Sequence, residues 1–143
     1  MYQNQRLSSL LTYAGALPFW ALALGQFAGL DPVWASSAFI AYGTGIACFM
    51  AGTIWSQAQI KQARGDAFLL FSNAAALAAI AALLLHHVMP LLALILHSAL
   101  FIVLFFADQR IHRDGDQPRW YLALRRNVTV LVVIAYGAAT LAM

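Results

Sequence analysis

The chain has 143 residues, of which 63% are hydrophobic and 9% charged, and its mean hydropathy is +0.77. An ordinary soluble domain carries about 25% charged residues, so this composition excludes a soluble globular protein and a disordered one. A net charge of +3 in so apolar a chain does not indicate a nucleic-acid partner, and what remains is a multi-pass membrane protein.

The charged residues partition the chain. Charge-free stretches run from Leu7 to Leu30, Pro32 to Ile60, Ala67 to Ala107 and Asn127 to Met143, which is 24, 29, 41 and 17 residues. About 20 apolar helical residues cross a bilayer core, so the 41-residue stretch holds two spans. The pattern predicts a single all-α transmembrane domain over 1–143, a bundle of five helices at about 7–30, 32–59, 67–88, 90–107 and 120–143. A closed β-barrel is excluded because the runs lack period-2 alternation.

Span one holds Pro18 in its interior, which removes a backbone hydrogen bond to Ala14 and predicts a kink eased by Gly15. Arg6, the apolar run and Ala21-Leu22-Ala23 imitate a signal peptide, but hydrophobicity continues to Leu30 with no polar segment after it. Asp31-Pro32 offers a cap and a first helical residue for span two. There Ser37, Ala41, Gly45, Cys48, Gly52, Trp55 and Gln59 recur at spacings of three and four. Small faces permit close backbone contact in lipid, so Ala41, Gly45, Cys48 and Gly52 are expected to form a packing seam. Cys48 is the single cysteine, which leaves no intrachain disulfide.

Arg64-Gly65-Asp66 reads as a stop followed by a new cap, opening the Ala-rich span three. His86, His87 and Pro90 mark the turn into span four. Asp114-Gly115-Asp116 with Pro118 reads as the turn before span five. If span five began after Arg126 it would reach only about 25 Å, so it is expected to start near Trp120, with Arg125 and Arg126 inside its first two turns. With the N-terminus inside, one face carries Arg6, Lys61, Arg64, Arg110, Arg113, Arg119, Arg125 and Arg126, all eight bases. The expected orientation is therefore N-terminus inside and C-terminus outside, with attraction of the inner face to anionic lipids.

Polar residues at membrane depth are the candidate functional sites, because each costs free energy to bury. An inner cluster is expected from Asp108, Arg125, Arg126, Trp55, Asn73, Trp120 and Tyr121. Asp108 ends span four where the helix dipole disfavours a carboxylate, and Arg125 needs an acid, so the two are expected to pair. An outer pocket is expected from His97, Tyr42, Tyr136 and Gln26, with His97 about 10 Å below Pro90. A histidine with tyrosine neighbours suits a packed core, a quinone carbonyl, a haem or a proton relay. A second haem ligand is missing at that depth, since His86 and His87 lie too close to the surface.

No motif for catalysis or metal binding is present. Glu is absent, and there is no H-E-x-x-H, C-x-x-C, phosphate loop or G-x-S-x-G. Neither a catalytic residue nor a metal ligand is assigned. The inverted repeats and paired broken helices of transporters are also lacking.

Two segments carry a resemblance. One runs from Tyr42 through Gly43-Thr44-Gly45, Phe49 and Ala51-Gly52 to Trp55; the other joins Asp108 to Pro118-Arg119-Trp120-Tyr121-Leu122-Ala123-Leu124-Arg125 and ends at Thr129. With Gly15-Ala16-Leu17-Pro18-Phe19 and the five-span layout, the chain resembles an uncharacterised bacterial family of five-span membrane proteins related to mitochondrial transmembrane protein 69. The resemblance implies residence in a bacterial inner (cytoplasmic) membrane and brings no activity with it. Relatives commonly carry Gly-Gly followed by His-Trp where this chain has Ala51-Gly52-Thr53-Ile54-Trp55, so any chemistry of that histidine is missing here.

The expected function is that of a non-enzymatic inner-membrane protein. It would be an accessory or assembly component, or a self-associating scaffold, meeting a membrane-protein partner or its own copy within the bilayer and needing no cofactor. The first alternative is a redox-linked protein binding a quinone or haem b, and the second an oligomeric channel or carrier.

Overall fold

The computed structural model describes residues 2–60, 65–112 and 119–143, which form α1 (Tyr2–Phe27), α2 (Pro32–Ile60), α3 (Gly65–Leu85), α4 (Pro90–Ile111) and α5 (Arg119–Leu141). All five helices are long and apolar enough to cross a membrane. The 114–118 turn and the bases Lys61, Arg64 and Arg113 lie outside the described residues.

Three helix C-termini differ from the sequence-based spans by three or four residues, each for a local reason. α1 stops at Phe27 rather than Leu30 because Gly29 takes φ +102°, a left-handed turn residue, and the Leu30 N–H returns to the Gly25 carbonyl at 2.9 Å. α3 stops at Leu85 rather than Val88, and the Met89 N–H closes the turn on the Leu85 carbonyl at 2.8 Å. α4 continues four residues past Ala107 to Ile111. Asp108 does not end it, because neighbouring side chains meet its charge.

The α1–α2 turn forms as its residues dictate. Asp31 Oδ1 accepts the Trp34 N–H at 2.7 Å and caps α2, with Pro32 as the first helical residue. Pro18 sits within an unbroken α1. It leaves the Ala14 carbonyl without its usual donor, and one residue on the Gly15 carbonyl accepts the Tyr42 hydroxyl at 2.8 Å. α2 is the central helix, touching α1, α3 and α4, while α5 closes the bundle against α1 and α4.

The face of α2 that packs is not the predicted small-residue seam. Ala41, Gly45 and Gly52 are exposed and Cys48 is half-buried. The buried face carries Phe39, Ile40, Gly43, Thr44, Ala47, Met50, Ala51 and Ile54. Three neighbours surround this helix, and large side chains fill the spaces between them, so packing selects a face of mixed size over the smallest one. In the core Phe19 and Phe39 stand edge-on at 5.2 Å, and Phe39 stands edge-on to Tyr136 at 4.7 Å.

Candidate functional site

Two polar centres and one cavity occupy the bundle. The first centre is built on His97 of α4, which is fully buried. The Thr44 hydroxyl donates to its own helix at the Ile40 carbonyl, 2.9 Å away. Its oxygen therefore accepts from His97 Nε2 at 3.3 Å, which places the imidazole proton on Nε2. Nδ1 is then the acceptor for the Tyr136 hydroxyl at 2.5 Å. The chain Tyr136 to His97 to Thr44 to Ile40 runs in one direction and joins α5, α4 and α2. Both ring nitrogens are engaged, so His97 has neither a lone pair free for a metal nor an N–H free for a quinone carbonyl.

This centre keeps two of the four residues expected in the outer pocket. Tyr42 turns away to Gly15 and stands edge-on to Phe19 at 5.0 Å. Gln26 is buried, but neither of its amide atoms has a hydrogen-bond partner, and no bond joins it to His97 among the described residues. Thr44 and Gly43 take their places. A Cβ on Gly43 would run into the Tyr136 hydroxyl and come 3.1 Å from His97 Cε1, so glycine here is a matter of space. The i, i+4 relation of Ile40 and Thr44 was readable; the approach of Tyr136 to Gly43 was not.

The second centre lies at the end of the bundle that holds the N-terminus. Asp108, 2% exposed, accepts from Arg125 Nε at 2.9 Å through Oδ2, and His112 Nε2 lies 3.5 Å from Oδ1. The expected pair is thus present with a third member. His112 stands at i+4 from Asp108, a spacing visible in the sequence but passed over once span four was ended at Ala107. The Tyr121 ring stands edge-on to His112 at 6.0 Å, and Trp120 stands edge-on to Tyr121 at 6.1 Å. Two buried nitrogens, His112 Nδ1 and Arg125 Nη2, have no partner among the described residues.

The remaining members of the expected inner cluster lie elsewhere. Arg126 is exposed. Trp55 and Asn73 line a separate groove of about 250 Å³ between α2 and α3, beside Cys48, Gly52 and Ser72. The Asn73 amide donates to the Leu69 carbonyl of its own helix at 2.8 Å.

The cavity measures about 550 Å³ and lies between α1, α2 and α5, with Phe101 of α4 at its wall. That volume falls within the usual range for small-molecule sites, about 300–1,000 Å³. Arg125 and Tyr121 line it, with Ser8, Thr12, Thr53 and Thr129. Thr12 and Thr53 donate to carbonyls of their own helices, Ser8 and Met50, both at 2.7 Å. Leu7, Leu11 and Phe49 also line it and are 55%, 61% and 68% exposed, so its mouth opens on the side of the bundle. Among the described residues no group of three or more His, Cys, Asp and Glu is placed to hold a metal ion.

The class these observations define is a helical bundle with five candidate membrane spans and an interhelical cavity bordered by an ion pair. The chain belongs to the family described as protein of unknown function (DUF3429), which matches residues 4–141. No curated protein and no solved structure matched it significantly.

Proposed function

We propose that this chain is a non-enzymatic accessory protein of a bacterial inner membrane that holds a bilayer-dissolved amphiphile in the α1–α2–α5 cavity. One observation carries the reading: a cavity of about 550 Å³ whose lining includes Arg125, which among the described residues engages only its Nε, on Asp108. An apolar hollow takes a chain, and a donor without an acceptor takes a head. The exposed Leu7, Leu11 and Phe49 put the mouth toward lipid, so the ligand enters from the membrane.

The N-terminus faces the cytoplasm in this reading, since the described bases Arg6, Arg110, Arg119, Arg125 and Arg126 fall at one end of the helices. The exposed ones, Arg6, Arg110, Arg119 and Arg126, draw anionic lipids to that face. The family's link to mitochondrial transmembrane protein 69 is part of the proposal and rests on the Tyr42-to-Trp55 and Asp108-to-Thr129 segments. The bound redox group considered from the sequence moves from His97, whose nitrogens are engaged, to the cavity, where a quinone is one candidate.

The test is lipid and quinone analysis of protein purified gently from membranes. A Cβ on Gly15 meets nothing within 4 Å, and Gly15 lines the cavity, so Gly15→Leu fills the space from an open position. Wild type should carry a stoichiometric amphiphile and Gly15→Leu should lose it while keeping its melting temperature. Equal occupancy in the two proteins refutes the site.

A second reading rests on the exposed small face of α2. Ala41, Gly45 and Gly52 leave room for a second copy to approach closely, as a self-associating scaffold requires. Gly45→Ile and Gly52→Ile should then weaken cross-linking between copies in membranes; unchanged cross-linking removes this reading.

A further inference from the structure

The cavity's ligand has a head of definite chemistry. We infer that Arg125 recognises a neutral carbonyl oxygen, as in an acyl ester or a quinone, and that the site discriminates against anionic heads. The inference rests on the amphiphile reading above and goes beyond it by fixing the charge of the ligand.

Arg125 has already committed one donor and its charge. Its Nε donates to Asp108 Oδ2 at 2.9 Å, and both side chains are largely shielded, 14% and 3% exposed. The cation is therefore compensated by a carboxylate in direct contact. A second anion at the guanidinium would meet a pair with no net charge to offer and would feel Asp108 across it. In a low-dielectric surrounding that repulsion is much larger than in water. The other described arginines close in sequence to lining residues, Arg6, Arg119 and Arg126, are exposed and do not line the cavity wall.

What Arg125 still offers is a hydrogen bond. Arg125 lines the cavity and, among the described residues, engages only its Nε, so a guanidinium donor beyond Nε has no acceptor in a hydrocarbon surrounding that supplies no water. A carbonyl oxygen meets that donor without bringing charge. Thr12 and Thr53 direct their protons to their own helices, so neither competes as a donor for the head. Beyond Arg125 the wall turns apolar at Phe19, Ile46, Met50, Phe101 and Val132, which suits a single hydrocarbon or isoprenoid tail.

The experiment uses the full chain, stripped of lipid in detergent, and native mass spectrometry with four probes in competition. Mono-oleoylglycerol and decyl-ubiquinone are the two neutral carbonyl sources, palmitate is the anionic head, and hexadecane is a tail alone. At least one neutral carbonyl probe should bind about tenfold or more tighter than palmitate and hexadecane, a difference of about 1.4 kcal/mol. Which of the two wins tells an acyl ester from a quinone. Arg125→Gln should level the neutral probes with hexadecane. Asp108→Asn, which uncovers the cation, should raise palmitate binding about tenfold. Palmitate winning on wild type, or hexadecane matching the carbonyl probes there, overturns the inference whether or not either variant folds. If no probe binds and Gly15→Leu changes nothing, the amphiphile reading itself falls, an outcome distinct from a bound but wrongly charged head.

Discussion

Gly43→Ala carries the sharpest consequence of the packing around His97. The added methyl group would run into the Tyr136 hydroxyl, and it would stand 3.1 Å from His97 Cε1 and 3.3 Å from Phe19 Cε1. Overpacking of this kind costs about 1–3 kcal/mol. Alanine in place of glycine inside a helix returns about 1 kcal/mol. The net expectation is a destabilisation of about 1 kcal/mol. Tyr136→Phe alone removes the donor to His97 Nδ1, and a buried acceptor left bare costs about 1–3 kcal/mol. In the double variant the oxygen that blocked the new methyl group is gone, so the second change relieves the first. The pair should be less damaging than the sum of the singles by about 0.5 kcal/mol or more. Unfolding in mixed detergent micelles, followed by circular dichroism, measures all four corners of the cycle. Strict additivity would refute the close approach of α2 and α5 at this point. Gly45→Ala and Gly52→Ala serve as controls: nothing lies within 4 Å of a Cβ at either, and each should be neutral or slightly stabilising.

Other expectations follow from the polar centres. Asp108→Asn and Arg125→Gln each break a pair with little access to solvent and should each cost about 3–5 kcal/mol, with the double variant well short of the sum, read from the same unfolding assay. His112→Ala should cost less than either, about 1 kcal/mol, because its contact with Asp108 is longer, 3.5 Å against 2.9 Å. His86 lies in the α3–α4 turn, where burial, with His87 beside it, holds its pKa below the ordinary 6.5. The unfolded chain then binds more protons just below that value, so this residue's contribution is complete above about pH 6.5 and declines as the medium is acidified. Melting temperature should therefore fall on going from about pH 7.5 to about pH 5, and His86→Gln should flatten that slope; an unchanged slope rules out His86 as its source. For orientation, Leu30→Cys in a Cys48→Ala background should react with an impermeant maleimide added outside intact spheroplasts, and protection from it would reverse the topology.

The spans were legible because charge at a membrane edge is a strong, local signal. The Asp31-Pro32 cap and the Asp108–Arg125 pair were legible for the same reason: each is a demand made by one residue that few others can meet. Burial on α2 was not legible. Its small stripe at Ala41, Gly45 and Gly52 and its packed face through Gly43, Thr44 and Ala47 follow the same helical spacing one step apart. Lipid supplies no hydrophobic contrast to choose between them. The cavity was hidden for a related reason, since it depends on how far α1, α2 and α5 stand apart, and no single residue encodes that distance. His112 was missed by a narrower error, the assumption that a carboxylate must end a membrane helix.

The order in which the helices are made gives the two polar centres a further meaning. Tyr136 and Arg125 both belong to α5, which leaves the ribosome after α4, where His97 and Asp108 wait. Until α5 inserts, the nascent chain holds an imidazole without its tyrosine donor and a carboxylate without its arginine. A chain stopped after α4 is thus marked as unfinished by its own unsatisfied groups, recognisable to membrane quality control. Arrival of α5 removes both marks in a single step.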